Sequence, residues 1–171
     1  MLTELNLMDD FGMVLAKYLN ENQKIKEYCN KQFGKELTIY VGELLRDTIP
    51  TSENCPYIVI TELSKREGTR EEVNHKVEYT CMMYIGISAP RKKLNTVDNN
   101  ILTYDGCQTL GTLMNLVQTE LMIRHDGERP FNQVEATIVG PIEPDGSHWG
   151  GTLNCRWKMA QTLGLSAMEK F

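Results

Sequence analysis

The chain of 171 residues contains no long hydrophobic run. Its most apolar stretches, such as 57–60, are far shorter than the ~20 residues a bilayer-crossing helix needs. The N-terminal MLTELNLMDDFG carries acidic residues early and no basic region, so it does not read as a secretory signal. A cytoplasmic setting follows as the expectation, a host cytoplasm included. Excess positive charge is also missing: 18 Lys and Arg face 23 Asp and Glu, a net charge of −5. Phosphate contacts need clustered cations, so a general nucleic-acid-binding surface is excluded, although a wall past which DNA slides without sticking is not. No CxxC pair occurs, and the cysteine count is five. An odd number without paired spacing argues against both a zinc site and a disulfide framework. Cys29, Cys55, Cys81 and Cys107 are spaced evenly, but their surroundings do not match and no repeat is inferred. Cys81 and Cys155 fall on apolar strand faces and read as small buried hydrophobes. Glycine-rich phosphate loops are absent too: Gly106 and Gly111 fit neither GxGxxG nor GxxxxGK[ST].

What is present is a chain long enough to bury roughly 70% of its unfolded surface without staples. Near the N-terminus, Leu5, Met8, Phe11, Leu15, Tyr18 and Leu19 recur at spacings of three and four, one stripe of an amphipathic helix. Thr3 suits its N-cap and Glu4 its first turn. Residues 20–23 mark a break or a polar last turn. Ile25, Tyr28 and Cys29 continue the helix or start a second short one, and Gly34 ends it. A short β-rich run, LTIYV (37–41), leads into a polar stretch broken by Pro50 and Pro56. The run YIVITEL (57–63) is apolar on both faces at first, as in a strand covered on both sides.

The run 73–88, VNHKVEYTCMMYIGIS, is the strongest pattern in the chain. All of its odd positions except His75 are apolar, and most of its even positions are polar. Period two over this length is roughly three times the usual strand of about 5–6 residues. Such a strand overhangs its own domain and needs either a partner or protection at its ends. A charged loop, about 64–74, joins it to the preceding strand as a projecting hairpin. A second loop, 89–100, follows it. Asp98 or Asn99 can then cap a helix from about Ile101 to Arg124, whose glycines each cost about 1 kcal/mol relative to alanine and so suggest a close contact or a kink. Two further strands, 132–142 and 151–162, flank a long turn at 143–150. The tail 163–171 is expected to be partly disordered. The expected fold is one α+β domain covering 1–171. It has a mostly antiparallel sheet and two main helices on one face, in the order α-β-β-β-α-β-β.

Chemistry is sparsely signposted. His75 reads as a strand-end residue, and the His125-Asp126 pair as a helix end favoured by the dipole. Asp145, Ser147 and His148 form a turn sequence; sequence neighbours rarely make a triad, which geometry assembles across a fold. Lys65, Arg66, Glu67, Arg70, Glu71 and Glu72 make a mixed-charge tip, either solvated or contacting a neighbouring subunit. Arg91, Lys92 and Lys93 are the one basic triplet, solvated or set against an acidic partner. No catalytic residue, metal or cofactor is expected. Two other readings stand beside this one: a cytosolic enzyme using His148 and Asp145, and a small-ligand-binding module using the 145–150 loop.

The leading amphipathic helix, the short strand, the proline-rich turn, Pro56-Tyr57-Ile58-Val59-Ile60 entering a charged hairpin, the long alternating strand, the helix over 106–124 and the closing hairpin occur in one order. That order resembles the tail-terminator and tail-completion proteins of long-tailed bacteriophages and related contractile particles. The resemblance covers nearly the whole chain as an architecture. It implies a virion protein, assembled in the host cytoplasm, that forms a ring, typically hexameric, at the head-proximal end of the tail. The implied partners are further copies of itself, the tail tube protein and the head-tail connector or neck protein. DNA would pass through the lumen unbound, and no membrane is involved. Relative to smaller members, 89–100 and 143–150 are longer.

Overall fold

The computed structural model describes residues 11–43, 48–67, 76–122 and 131–160. The expected first helix divides into α1 (Met13–Glu21) and α2 (Gln23–Phe33). Asn22 makes the division. Its backbone is extended, and its side-chain oxygen accepts the Ile25 N–H at 3.1 Å, capping α2. Gly34 closes α2 at φ 66°, a left-handed conformation glycine adopts without a Cβ clash. The expected cap at Thr3 lies outside the described residues.

Next come β1 (Thr38–Val41), β2 (Tyr57–Glu67), β3 (Lys76–Ser88), the short strands β4 (Leu94–Asp98) and β5 (Ile101–Tyr104), helix α3 (Asp105–Met122), β6 (Phe131–Pro141) and β7 (His148–Ala160). Five strands form one sheet in the order β1-β2-β3-β7-β6, parallel only between β1 and β2. The α+β class, the mostly antiparallel sheet and the expected order hold, with the β4–β5 hairpin added between β3 and α3.

Period two in β3 becomes two different faces. Val77, Tyr79, Cys81, Met83, Ile85 and Ile87 are all buried, while Glu78, Thr80, Met82 and Tyr84 are only half-buried. The first set joins Trp149, Leu153, Cys155 and Trp157 of β7 beneath the helices. Burying each large apolar side chain contributes roughly 1.5–3 kcal/mol. All three helices feed this one core, α3 through Leu110, Leu113, Met114, Val117 and Leu121. Phe11 sits at its centre, against Tyr79 (ring centroids 4.9 Å apart) and edge-on to Trp157 (5.4 Å).

Four boundaries differ from expectation. The first is the loop of about 64–74: β2 runs to Glu67, and Ser64 to Glu67 pair with Thr80 to Val77. The long alternating strand offers these charged residues a ladder, and pairing outweighs their low β-propensity. A bulge between Thr61 and Ser64, with Glu62 at φ 52°, absorbs the change of register. The second is 89–100, which holds β4 and the turn into β5. β-Branched and aromatic residues flank Asp98-Asn99-Asn100, and the Asn99 N–H donates to Asp98 Oδ1 at 2.8 Å. Asp98 and Asn99 therefore shape a hairpin turn and do not cap the helix. The third is the start of α3, which begins at Asp105, where an acid suits the dipole. The turn between the last two strands is also shorter than 143–150, since β7 starts at His148.

A buried carboxylate ties the helices together. Glu120 of α3 accepts from Asn22 Nδ2 at 2.8 Å and pairs with Lys24 Nζ at 2.8 Å. The Tyr18 hydroxyl donates to the Glu120 backbone carbonyl at 2.8 Å, and burial raises the Tyr18 pKa above its ordinary value. Glu120→Ala should therefore lower unfolding free energy by about 1–2 kcal/mol, the usual cost of losing a charged hydrogen-bond partner, with Lys24 counted little because it is exposed. Urea denaturation measures this.

The two helix glycines separate clearly. A Cβ on Gly106 would overlap the Trp149 indole, whereas one on Gly111 would meet only Ile138 Cδ1, at 3.6 Å. Gly106→Ala should destabilise by about 1–3 kcal/mol through overpacking. Gly111→Ala should stabilise by about 0.5–1 kcal/mol through helix propensity. Equal effects of the two in thermal or urea melts would count against this packing.

Candidate functional site

Among the described residues the helices lie on one side of the sheet, and one end of the other face carries an aromatic cluster. Tyr57 crosses Gly86, where a Cβ would overlap its ring. It stacks on Tyr84 (6.4 Å), meets Tyr40 edge-on (6.4 Å) and meets His148 edge-on (5.7 Å). Cys55 and Val59 complete this second cluster. It explains why β2 is apolar on both faces at its start.

His148 is buried here, with 2% of its surface exposed. Its Nε2 lies 3.0 Å from the Tyr57 hydroxyl, and its Nδ1 lies 3.7 Å from Glu143 Oε1. Burial holds the imidazole below its ordinary pKa, and Glu143 partly offsets this. Burial also pushes the Tyr57 hydroxyl up and raises the Cys55 thiol to about 12. Neither group is poised as a nucleophile.

The Ser147 hydroxyl faces Asp145 Oδ1 (2.6 Å) and Glu143 Oε2 (2.8 Å), and its N–H donates to Asp145 Oδ1 at 2.9 Å. Those bonds hold the Asp145 carboxyl below its ordinary pKa. Both nitrogens of His148 are directed elsewhere, so Asp145, Ser147 and His148 adjoin without forming a triad. The cluster shapes a turn. Among the described residues, no three His, Cys, Asp or Glu side chains converge as metal ligands.

The sequence candidates for subunit contact scatter. Lys65, Arg66 and Glu67 lie on β2, not in a loop. Lys65 Nζ stands 5.9 Å from the Tyr79 ring centroid, and Arg66 is exposed. Arg70, Glu71, Glu72 and His75 lie outside the described residues, as do His125, Asp126 and the tail 163–171. Two residues of the basic triplet are engaged within the chain: Arg91 Nε is 3.0 Å from Asp145 Oδ2, and Lys93 Nζ is 3.7 Å from Asp105 Oδ1. They anchor the root of the β4–β5 hairpin to the β6–β7 turn and to the start of α3. Lys92 remains exposed at φ 49°.

Sequence reasoning missed the apolar surface. Leu94, Val97, Ile101, Leu102 and Tyr104, all on the β4–β5 hairpin, are 48–59% exposed. On the edge strand β6 and just past it, Ile138, Val139 and Ile142 are 41–63% exposed. The signal was available in part: the expected loop 89–100 holds Leu94 and Val97, while Ile101, Leu102 and Tyr104 fall in the first turn of the expected helix.

No protein-family model matches the chain, and no curated protein matches it. Among solved structures it is similar to a chain from "Virion of native gene transfer agent (GTA) particle". The TM-score is 0.53 at 9% identity, covering 91% of this chain and 98% of that one. The likeness is one of fold, and it runs through nearly the full length of both chains.

Neutral burial of His148 has a pH consequence. The unfolded chain takes up the imidazole proton near pH 6.5, while the native protein resists it to lower pH. Stability is therefore full above 6.5 and falls as pH drops through the depressed native value. His148→Gln should flatten that part of the pH–stability curve. An NMR titration of the wild-type imidazole gives the same decision without a variant, and a native pKa at or above 6.5 would refute it.

Proposed function

We propose that this chain is a structural protein of a phage-like virion. More narrowly, it is a tail-terminator or tail-completion protein that forms a ring at the head-proximal end of a tail. The observation that carries this reading is the fold likeness to a virion-particle chain over 91% of one chain and 98% of the other. The sequence resemblance to tail terminators points the same way. Two features of the described residues support it: a sheet with its helices on one side, and large apolar groups left exposed on a hairpin and on an edge strand.

The ring, a hexamer in this reading, closes through head-to-tail contacts between copies. Its partners are the tail tube protein on one side and the head-tail connector on the other. An acidic chain, net −5, lining a channel repels phosphates and lets DNA pass. The role is non-enzymatic: the polar groups of the 143–148 turn are engaged with one another, and no catalytic chemistry is assigned to them. The β2–β3 tip, with Arg66, Glu67, Arg70, Glu71 and Glu72, is a subunit or partner contact.

Purified protein mixed with tail tubes should appear in negative-stain images as a ring capping one end of each tube. Arg66→Glu combined with Arg70→Glu should reduce capped ends at least tenfold. Unfolding free energy should change by no more than about 0.5 kcal/mol, as for ordinary surface substitutions. Undiminished capping would remove the tip from the contact. Wild-type protein that never caps tubes would sink the terminator reading itself.

A further inference from the structure

The β4–β5 hairpin does not bury itself. It is held at its root, where the Asp105 N–H donates to the Lys93 carbonyl at 2.9 Å and Asn95 Nδ2 reaches Asp105 at 3.0 Å and Gln108 at 3.1 Å. Beyond the root, Val97, Ile101 and Leu102 are each 58–59% exposed. Ile101 and Leu102 are consecutive in a strand, so they point to opposite faces. No reorientation against one surface of the described residues would cover both. An isolated two-stranded hairpin is at best marginally stable in water, so this one calls for an external surface.

The same chain carries a second apolar surface of a different kind. β6 is the outer strand of the sheet, and its end exposes Ile138, Val139 and Ile142. Gly140, at φ 122°, sits at a bulge after Ile138, and Pro141 lacks an N–H. The outer ladder is thus disabled where the apolar side chains are exposed, so this end offers side-chain contact rather than a template for uncontrolled pairing.

We propose that the hairpin of one copy docks against the Ile138–Ile142 end of β6 in the next copy, forming a head-to-tail interface. This deepens the ring reading above and rests on it for the meaning of the contact. Three considerations select a second copy as the occupant. Residues 94–104 contain no Lys or Arg and one acid, Asp98, so phosphate or nucleic acid has nothing to bind there. A single contact covers one face of each element, so about half of the eight side chains, each exposing on the order of 100 Å², supply about 400 Å² of apolar area, a patch of the size that marks a protein–protein contact. The two surfaces lie on different elements, and a contact between unlike patches is the kind that propagates around a ring.

Cross-linking between copies tests this. One chain carries Leu102→Cys, the other Val139→Cys, and a short bis-maleimide joins them, with the wild-type protein as background for its own cysteines. The mixture should give a cross-linked dimer, and either variant alone should give none above background. In parallel, Val97→Glu with Leu102→Glu should weaken self-association at least tenfold by sedimentation while leaving the circular dichroism unchanged. A cross-link with Leu102→Cys alone would mean hairpin-to-hairpin contact and overturn the proposal. A concentration-independent link within a chain carrying both cysteines would place the hairpin on its own β6 and overturn it too. So would self-association undiminished by the glutamates, or no mixed cross-link in the presence of capped tail tubes. Tubes capped without the mixed cross-link leave the terminator reading standing and remove this interface. The mixed cross-link without capping supports the interface and counts against the terminator role.

Discussion

The pairing of β3 with β7 is the constraint on which the rest of the molecule depends. Thirteen residue pairs, from Lys76 with Ala160 to Ser88 with His148, fix one register. Side chains alternate across a sheet, so that register decides both faces at once. It places Cys81 beside Cys155 and Met83 beside Leu153 in the core, and it leaves Glu78 within reach of Arg156 (3.7 Å) and Lys158 (3.4 Å) on the other side. A slip of one residue would drive the charges inward and the apolar row into water. The same ladder makes room for its neighbours through glycines. Gly86 yields space to the Tyr57 ring on the open face, and Gly151 yields space to the Met114 thioether of α3 on the core face. The seat of the long helix and the site of the aromatic cluster are thus consequences of one strand pair.

The helical layer is then locked by polar contacts at its margin. Asn22 does two jobs with one amide: its oxygen caps α2, and its nitrogen reaches Glu120 of α3. The break between the first two helices therefore sits where it can be tied to the third. Tyr28 adds a second tie through its hydroxyl, which donates to the Thr109 carbonyl at 3.2 Å. Among the described residues all three helices lie on one side, no helix covers the other face of the sheet, and β6 is an outer strand. The surfaces left over by the core are the surfaces available for assembly.

The sequence was most legible where one periodicity had no competitor. Alternation in 77–87 admits only a strand with one buried face, and Gly34 after an apolar 3.6-period stripe admits only a helix end. Legibility failed where two rules fitted the same residues. Ile101 and Leu102 continue the apolar pattern of α3 backwards, and Asp98 or Asn99 suits a helix cap as well as a hairpin turn. What separates the two is tertiary: the Asp105 N–H bonds to the Lys93 carbonyl, and Trp149 packs against Gly106. Ser64 to Glu67 looked like a loop because charge is rare in strands, yet a long partner strand was waiting to pair with them. His148 looked like a turn residue because its burial depends on Tyr57, 91 positions away in the chain.

The contrast between satisfied and unsatisfied groups bears directly on function. Around the β6–β7 turn, Glu143, Asp145, Ser147, His148 and Arg91 find their partners in one another, at 2.6–3.7 Å. The hairpin and the β6 end are in the opposite condition: their main-chain geometry is set, and their large side chains face water. Apolar surface of that size gains free energy only by meeting more apolar surface. A protein surface meets that need, and a polar small molecule does not, so these exposed side chains are better suited to protein contact.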